Sequence, residues 1–323
     1  MIKISNQTKN GKAFEFALLC EFFEKLKIFT QIEIEINVPY ESAKRSFEYL
    51  SEKERSHFRL VASFAANFLI DVEPRLKSIE HHADVLKLEI VADKEGQKGD
   101  VRDVLAIRSL HDWEIGISAK NNHRAVKHSR LSNDIDFGEK WLSLGCSTNY
   151  FNEITPIFDE LATIRSKSKS TQKWSSLGDY HTSVYLPILS AFRKELLRLN
   201  SEYPELVAQR LVEYLIGKKD FYKVIKGKDK VEVQAFNLHG TLNLPSTNDK
   251  PKAKIPKLKF PNRLIEIVFL ANSKTTLLVT LNEGWQVSFR IHNASSRVEA
   301  SLKFDINLVS APKSLFSNHL FVS

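Results

Sequence analysis

Asp103 and Lys120 begin and end a pair of short apolar segments, DVLAIRSL (103–110) and WEIGISAK (113–120), joined by a two-residue turn, His111-Asp112. A carboxylate and a lysine brought together suit metal-assisted cleavage of a phosphodiester. The carboxylate supplies the oxygen that a hard divalent cation such as Mg²⁺ prefers. The cation generates hydroxide near neutral pH and stabilises charge on the phosphate. The lysine orients the attacking water and neutralises the phosphoryl oxygens. Asp100, in KGDVRDV, stands close enough in sequence to join the same site. The plain alternative is an amphipathic strand ending in a solvated lysine.

The elements that must position these groups are strands. Side chains alternate along a strand, so Trp113, Ile115, Ile117 and Ala119 form an apolar face and Glu114, Gly116, Ser118 and Lys120 a polar one. If 103–110 and 113–120 pair antiparallel, Asp103 lies near Ser118 and Lys120. A third strand is expected at 85–93, with the 94–99 turn between. Ahead of it, 11–27 (GKAFEFALLCEFFEKLK) is apolar around nearly its whole circumference, which predicts a buried helix. A short strand is expected within 31–38 and a long helix over 41–70. Helices are further expected at 123–131, 137–144, 153–165, 179–199 and 204–216. The stretch 217–230 marks a change of texture, after which strands dominate: VEVQAFNLHG, RLIEIVFLA, TTLLVTL, WQVSFRIH and SLKFDINLV. The fold class expected is mixed α/β (α+β). Its parts would be an α/β part at 1–216 and a β-rich part at 217–323, the latter a candidate for DNA recognition.

Asp103 followed by Ser118-Ala119-Lys120 resembles the PD-(D/E)xK nuclease superfamily, which implies a mixed central sheet flanked by helices. The pattern departs at Ser118, where the superfamily usually has an acid. The superfamily often carries a metal-facing glutamate on its first helix, and GKAFE, with Glu15, looks like that element. A buried glutamate is costly unless paired or cation-bound. Glu15, Asp100 and Glu114, in that order, are the candidate second acids; Ser118 lines the site. The stretches KGDVRDVLAIR, AKNNHRAVKHSRLS and GWQVSFRIHNASSRVEASLKF resemble the HaeIII-type family of type II restriction endonucleases. That resemblance implies Mg²⁺-dependent cleavage of double-stranded DNA at a short GC-only palindrome, GGCC for the namesake. A palindromic site suggests a homodimer. Two other functions stay open: a structure-specific repair or junction nuclease, and a non-catalytic DNA-binding protein with a degenerate site.

DNA would be held by the basic segment after Lys120. Asn122, His123, Arg124, Lys127, His128 and Arg130 gather there, and on a helix their charge would grip phosphates. The lysines of KPKAKIPKLK (250–259) could add salt-sensitive affinity. Arg290, His292 and Asn293 in FRIHNAS are the candidates for base reading, since arginine can pair with both O6 and N7 of guanine. The bulk composition agrees: 47 Lys and Arg against 39 Asp and Glu give a net charge of +8, which favours a polyanionic partner. At 42% hydrophobic the composition is globular. The two cysteines, Cys20 and Cys146, make neither a disulfide framework nor a zinc site. A reducing cytoplasm is the expected location. No membrane span and no Gly-rich ATP-binding loop is apparent.

Overall fold

The computed structural model describes residues 6–79, 84–92, 100–121, 125–167 and 171–322. They form two compact units that interleave in sequence. The first comprises residues 1–124, 217–259 and 314–323, the second 125–216 and 260–313. The chain therefore crosses between units several times, where the sequence suggested a single change near 217.

The first unit is built on a seven-stranded mixed sheet. Its strands are β1 (Ile32–Ile34), β2 (Leu86–Ile90), β3 (Val104–Arg108), β4 (Trp113–Asn121), β6 (Phe221–Lys226), β7 (Lys230–Phe236) and β12 (Phe316–Phe321), and β5 belongs to the second unit. The spatial order is β1-β2-β3-β4-β6-β7-β12. β1 runs parallel to β2 and β4 parallel to β6; the remaining neighbours are antiparallel. Helices α1 (Asn6–Leu26), α2 (Val38–Glu48) and α3 (Glu52–Val72) cover it. α1 packs against β4, β3, β2, α2 and α3. Its Phe14, Leu18, Leu19 and Phe22 join Ile115 and Ile117 of β4 in one core. Burial on nearly all sides is what its all-round apolar sequence predicted.

The expected helix over 41–70 is two helices. Ser51 and Glu54 form a capping box that starts α3, so the helix must restart there. β1 is short because Asn37 already caps α2, accepting a hydrogen bond from the Tyr40 amide at 2.8 Å. β6, hidden in a stretch that looked like a break, and the edge strand β12 were not anticipated.

The second unit carries a five-stranded antiparallel sheet in the order β5-β11-β10-β9-β8. These strands are β5 (Ala125–Leu131), β8 (Leu264–Phe269), β9 (Thr276–Leu281), β10 (Gln286–His292) and β11 (Leu302–Ser310). It packs with α4 (Thr148–Lys167), α5 (Leu186–Glu202) and α6 (Pro204–Ile216). π-helical turns occur at Gly138–Leu142 and His181–Tyr185, where ordinary helix was expected. The core is aromatic: Phe192 lies 4.6 Å from Phe137 and 5.1 Å from Phe304, and Trp141 stacks on Tyr214 at 4.9 Å. The helix expected at 123–131 is instead β5. Its pairing with β11, Leu131 opposite Leu302 and Ser129 opposite Phe304, overrides a local pattern that suits either structure.

Beneath the first sheet, Glu73 is fully buried. Its Oε1 accepts hydrogen bonds from the Tyr222 hydroxyl at 2.7 Å and the Asn243 amide at 2.5 Å. Burial pushes its pKa up to about 7, against those hydrogen bonds. The folded pKa exceeds the unfolded one, so this group destabilises the fold increasingly as pH rises through that range. Relative to Glu73→Gln, the protein should lose roughly 2 kcal/mol of stability between about pH 5.5 and about pH 8. Denaturant midpoints of the two proteins at each pH check this.

Candidate active site

Asp103 immediately precedes β3 and is fixed by its backbone on both sides. Its amide donates to the Ile117 carbonyl at 2.8 Å, and its carbonyl accepts from the Val91 amide at 2.9 Å. Val104 pairs with Ile117, so the antiparallel register places Asp103 opposite Ser118. Three donors converge on its Oδ2: the Ala119 amide at 2.7 Å, the Lys120 ammonium at 3.0 Å and the Ser118 hydroxyl at 3.3 Å. Among the described residues Oδ1 receives no hydrogen bond. Asp103 and Lys120 are both partly exposed, whereas Ser118 is only 2% exposed. The polar face expected of β4 is therefore present, and it brings Asp103 and Lys120 into contact.

The remaining acids have different partners. Asp100 takes a two-pronged contact from Arg102, with Nε at 2.8 Å and Nη2 at 2.7 Å. Arg102 Nη1 also reaches Glu114 at 2.9 Å, and Lys219 donates to Glu114 at 2.6 Å. Burial opposes ionisation of both acids, but hydrogen bonds from Arg102 to Asp100, and from Lys219 and Arg102 to Glu114, outweigh it and hold each carboxyl below its usual range. The stem of Arg102 lies flat over Gly116. Glu15 is half-buried in the middle of α1, on the helix that packs across β3 and β4. Among the described residues, no group of three or more Asp, Glu, His or Cys side chains forms a ready metal cage. The open Oδ1 of Asp103 nevertheless fits a hard divalent cation, since Mg²⁺ commonly takes only one or two carboxylates and keeps several waters.

A model of the HaeIII restriction endonuclease family matches residues 11–312. The Type II restriction enzyme HaeIII of Haemophilus aegyptius is 43% identical over 315 residues, which cover 97% of this chain and 97% of that protein. The chain belongs to the HaeIII restriction endonuclease family. The expectation of a type II site-specific deoxyribonuclease is met at the level of enzyme class. No solved structure matches the chain.

Within this HaeIII-family fold, the residues expected to hold DNA separate by strand parity. Asn122, His123 and Arg124 lie outside the described residues. Lys127 pairs with Ile306 on the inward face of β5. Its ammonium donates to the Tyr214 carbonyl at 2.7 Å and lies 3.8 Å from the centre of the Tyr214 ring. Burial pushes its pKa down to about 8. The helical grouping of Lys127 with His128 and Arg130 is thus corrected, because a strand sends alternate residues to opposite faces. His128 and Arg130 are exposed on the outer face, as is Arg290 of β10; His292 is partly exposed there. Asn293 is engaged by its own turn, donating to the Ser295 carbonyl and accepting from the Tyr185 hydroxyl at 3.4 Å.

One residue of the face that carries Asp103 and Lys120 was missed from sequence. Lys223 of β6 pairs with Ser118 in parallel register and is buried. The segment FYKVIK alternates, but nothing local indicates that it neighbours β4. The Arg102 arrangement also yields an expectation. A Cβ at position 116 would meet Arg102 Cδ at 2.0 Å and Cγ at 2.5 Å. That stem is pinned between two acids and cannot swing away. Gly116→Ala should lower stability by about 1–3 kcal/mol through overpacking, measured as the urea unfolding midpoint against wild type.

Proposed function

We propose that this chain is a Mg²⁺-dependent endonuclease that hydrolyses phosphodiesters in duplex DNA at a short GC-only palindrome, with GGCC the expected site. The observation that carries the proposal is the joining of Lys120 to one oxygen of Asp103 while the other, among the described residues, accepts no hydrogen bond. In this reading Asp103 holds the cation. The second acid is either Glu15, which would have to reach the site past the strand end because α1 covers the opposite face of β4, or Asp100, held by Arg102 on the Asp103 face. A divalent cation held there would supply a hydroxide nucleophile and offset charge developing on the phosphate.

The chain's own groups do the rest. Lys120 places a positive charge beside the metal-binding oxygen, where it can orient water and stabilise the phosphoryl oxygens. Ser118, buried and donating to Asp103, orients the carboxylate without ligating. Two copies related by a two-fold axis would each cut one strand of a palindrome. The outer face of the five-stranded sheet, carrying His128, Arg130, Arg290 and His292, contacts the DNA in this account.

Digestion of unmethylated genomic DNA by the purified protein, with Mg²⁺ or with EDTA, tests the proposal when the fragment ends are sequenced. The expected result is one recurring GC-only palindrome at every end and no cleavage in EDTA. Ends scattered without a common sequence would favour a structure-specific nuclease. Binding without cleavage would favour the inactive DNA-binding protein that Ser118, standing where an acid is usual, brings to mind.

A further inference from the structure

The register of three adjacent strands builds a charged lattice on the outer face of the second unit's sheet. His128 of β5 lies opposite Asp305 of β11, which in turn lies opposite Arg290 of β10. One row along, Arg130 lies opposite Lys303, and Lys303 opposite His292. All six positions therefore carry a charged or imidazole side chain. The alternate residues, Phe289, Ile291, Phe304 and Ile306, are buried on the other face.

Asp305 is the hub. Its Oδ1 lies 2.8 Å from His128 Nδ1 and 3.4 Å from His292 Nε2, and its Oδ2 accepts a hydrogen bond from Arg290 Nη2. It is more shielded than the three side chains it contacts. Its side chain is 18% exposed, against 57% for Arg290 and 50% for His128. Burial opposes its ionisation, and the Arg290 hydrogen bond together with the nearby imidazoles and guanidinium outweighs that, keeping it below the usual range. Charges on edge strands can be explained as a guard against unwanted strand pairing. β11 is paired on both sides, so that explanation does not reach Asp305 or Lys303.

We propose that Asp305 is a positioning residue for guanine recognition, holding Arg290 so that it projects from the sheet toward the base edges of a duplex, with the exposed His128 beside it. A free arginine loses rotamer entropy when it is fixed. One held in place by a carboxylate has already lost much of it. Arg290 engages Asp305 through Nη2 and retains other N–H groups for a forked pairing with O6 and N7 of guanine. Arg130 and Lys303 add the positive charge that a DNA surface requires. The proposal rests on the outer face contacting DNA, as in the proposed function.

The test measures kcat and KM on a duplex bearing the site found by end sequencing, and on one with a single base pair exchanged. Wild type is compared with Arg290→Ala, Asp305→Asn and the double variant. Asp305→Asn should raise KM about tenfold, leave kcat within about threefold and weaken the preference for the true site. Arg290→Ala should do at least as much. The double variant should be no worse than Arg290→Ala alone, because Asp305 acts through Arg290. Asp305→Glu keeps the charge but moves the carboxylate by one methylene. It covers any loss of folding in the Asn variant and should raise KM at least threefold, roughly a 0.6 kcal/mol effect.

Additive losses overturn the proposal, as does wild-type KM in Asp305→Glu. Wild-type behaviour of Asp305→Asn beside a defective Arg290→Ala overturns the positioning role while leaving the face as the DNA contact. Wild-type behaviour of both single variants removes the DNA-contacting reading of the face, and the proposal with it.

Discussion

The pairing of β3 with β4 is the constraint on which the account depends. Asp103 reaches the Ala119 amide, the Ser118 hydroxyl and the Lys120 ammonium only because Val104 stands opposite Ile117. A slip of one residue would turn every polar side chain of β4 toward the helical core. That core resists the slip, because Ile115, Ile117 and Ala119 are buried beneath α1. The energy that fixes the site's geometry is thus largely hydrophobic and lies on the opposite face of the sheet from the chemistry.

Charge on the face that carries Asp103 and Lys120 is distributed asymmetrically. Asp100 and Glu114 are both tied to Arg102, which is buried over a glycine that leaves it room. Asp103 has a lysine on one oxygen and nothing on the other among the described residues. Two of the three acids around this strand pair are therefore neutralised by the protein itself, and the third remains open to a cation. The same device recurs on the second sheet, where Asp305 gathers Arg290 and two imidazoles. In each case a shielded ionic partner orients a group through geometry that surface ion pairs rarely achieve alone.

Local pattern carried much of this into view. The alternation of WEIGISAK was enough to place Asp103 beside Lys120, although the connection expected as His111-Asp112 alone is a 3-10 turn over Ser109–His111 followed by Asp112. The all-round apolar stretch at 11–27 was enough for α1. Failures arose where distant partners decide. AVKHSRL suits a helix or a strand, and its pairing with β11, far along the chain, makes it a strand and turns Lys127 inward. FYKVIK reads as part of a break, yet β6 inserts beside β4 and carries Lys223 to the site's face. Arg102 gave no signal, since its role depends on the space above Gly116. β12 alternates in exposure, but its partner β7 lies far back along the chain, so nothing local marks it as the edge of the first sheet.

The central claim is that Asp103 and Lys120 act on one phosphodiester. The direct measurement is single-turnover cleavage of a site-bearing duplex by Asp103→Asn and Lys120→Met, beside equilibrium binding of the same duplex. The account predicts that each variant loses at least about a hundredfold in cleavage rate while binding within about threefold of wild type. Cleavage near the wild-type rate in either variant would contradict it.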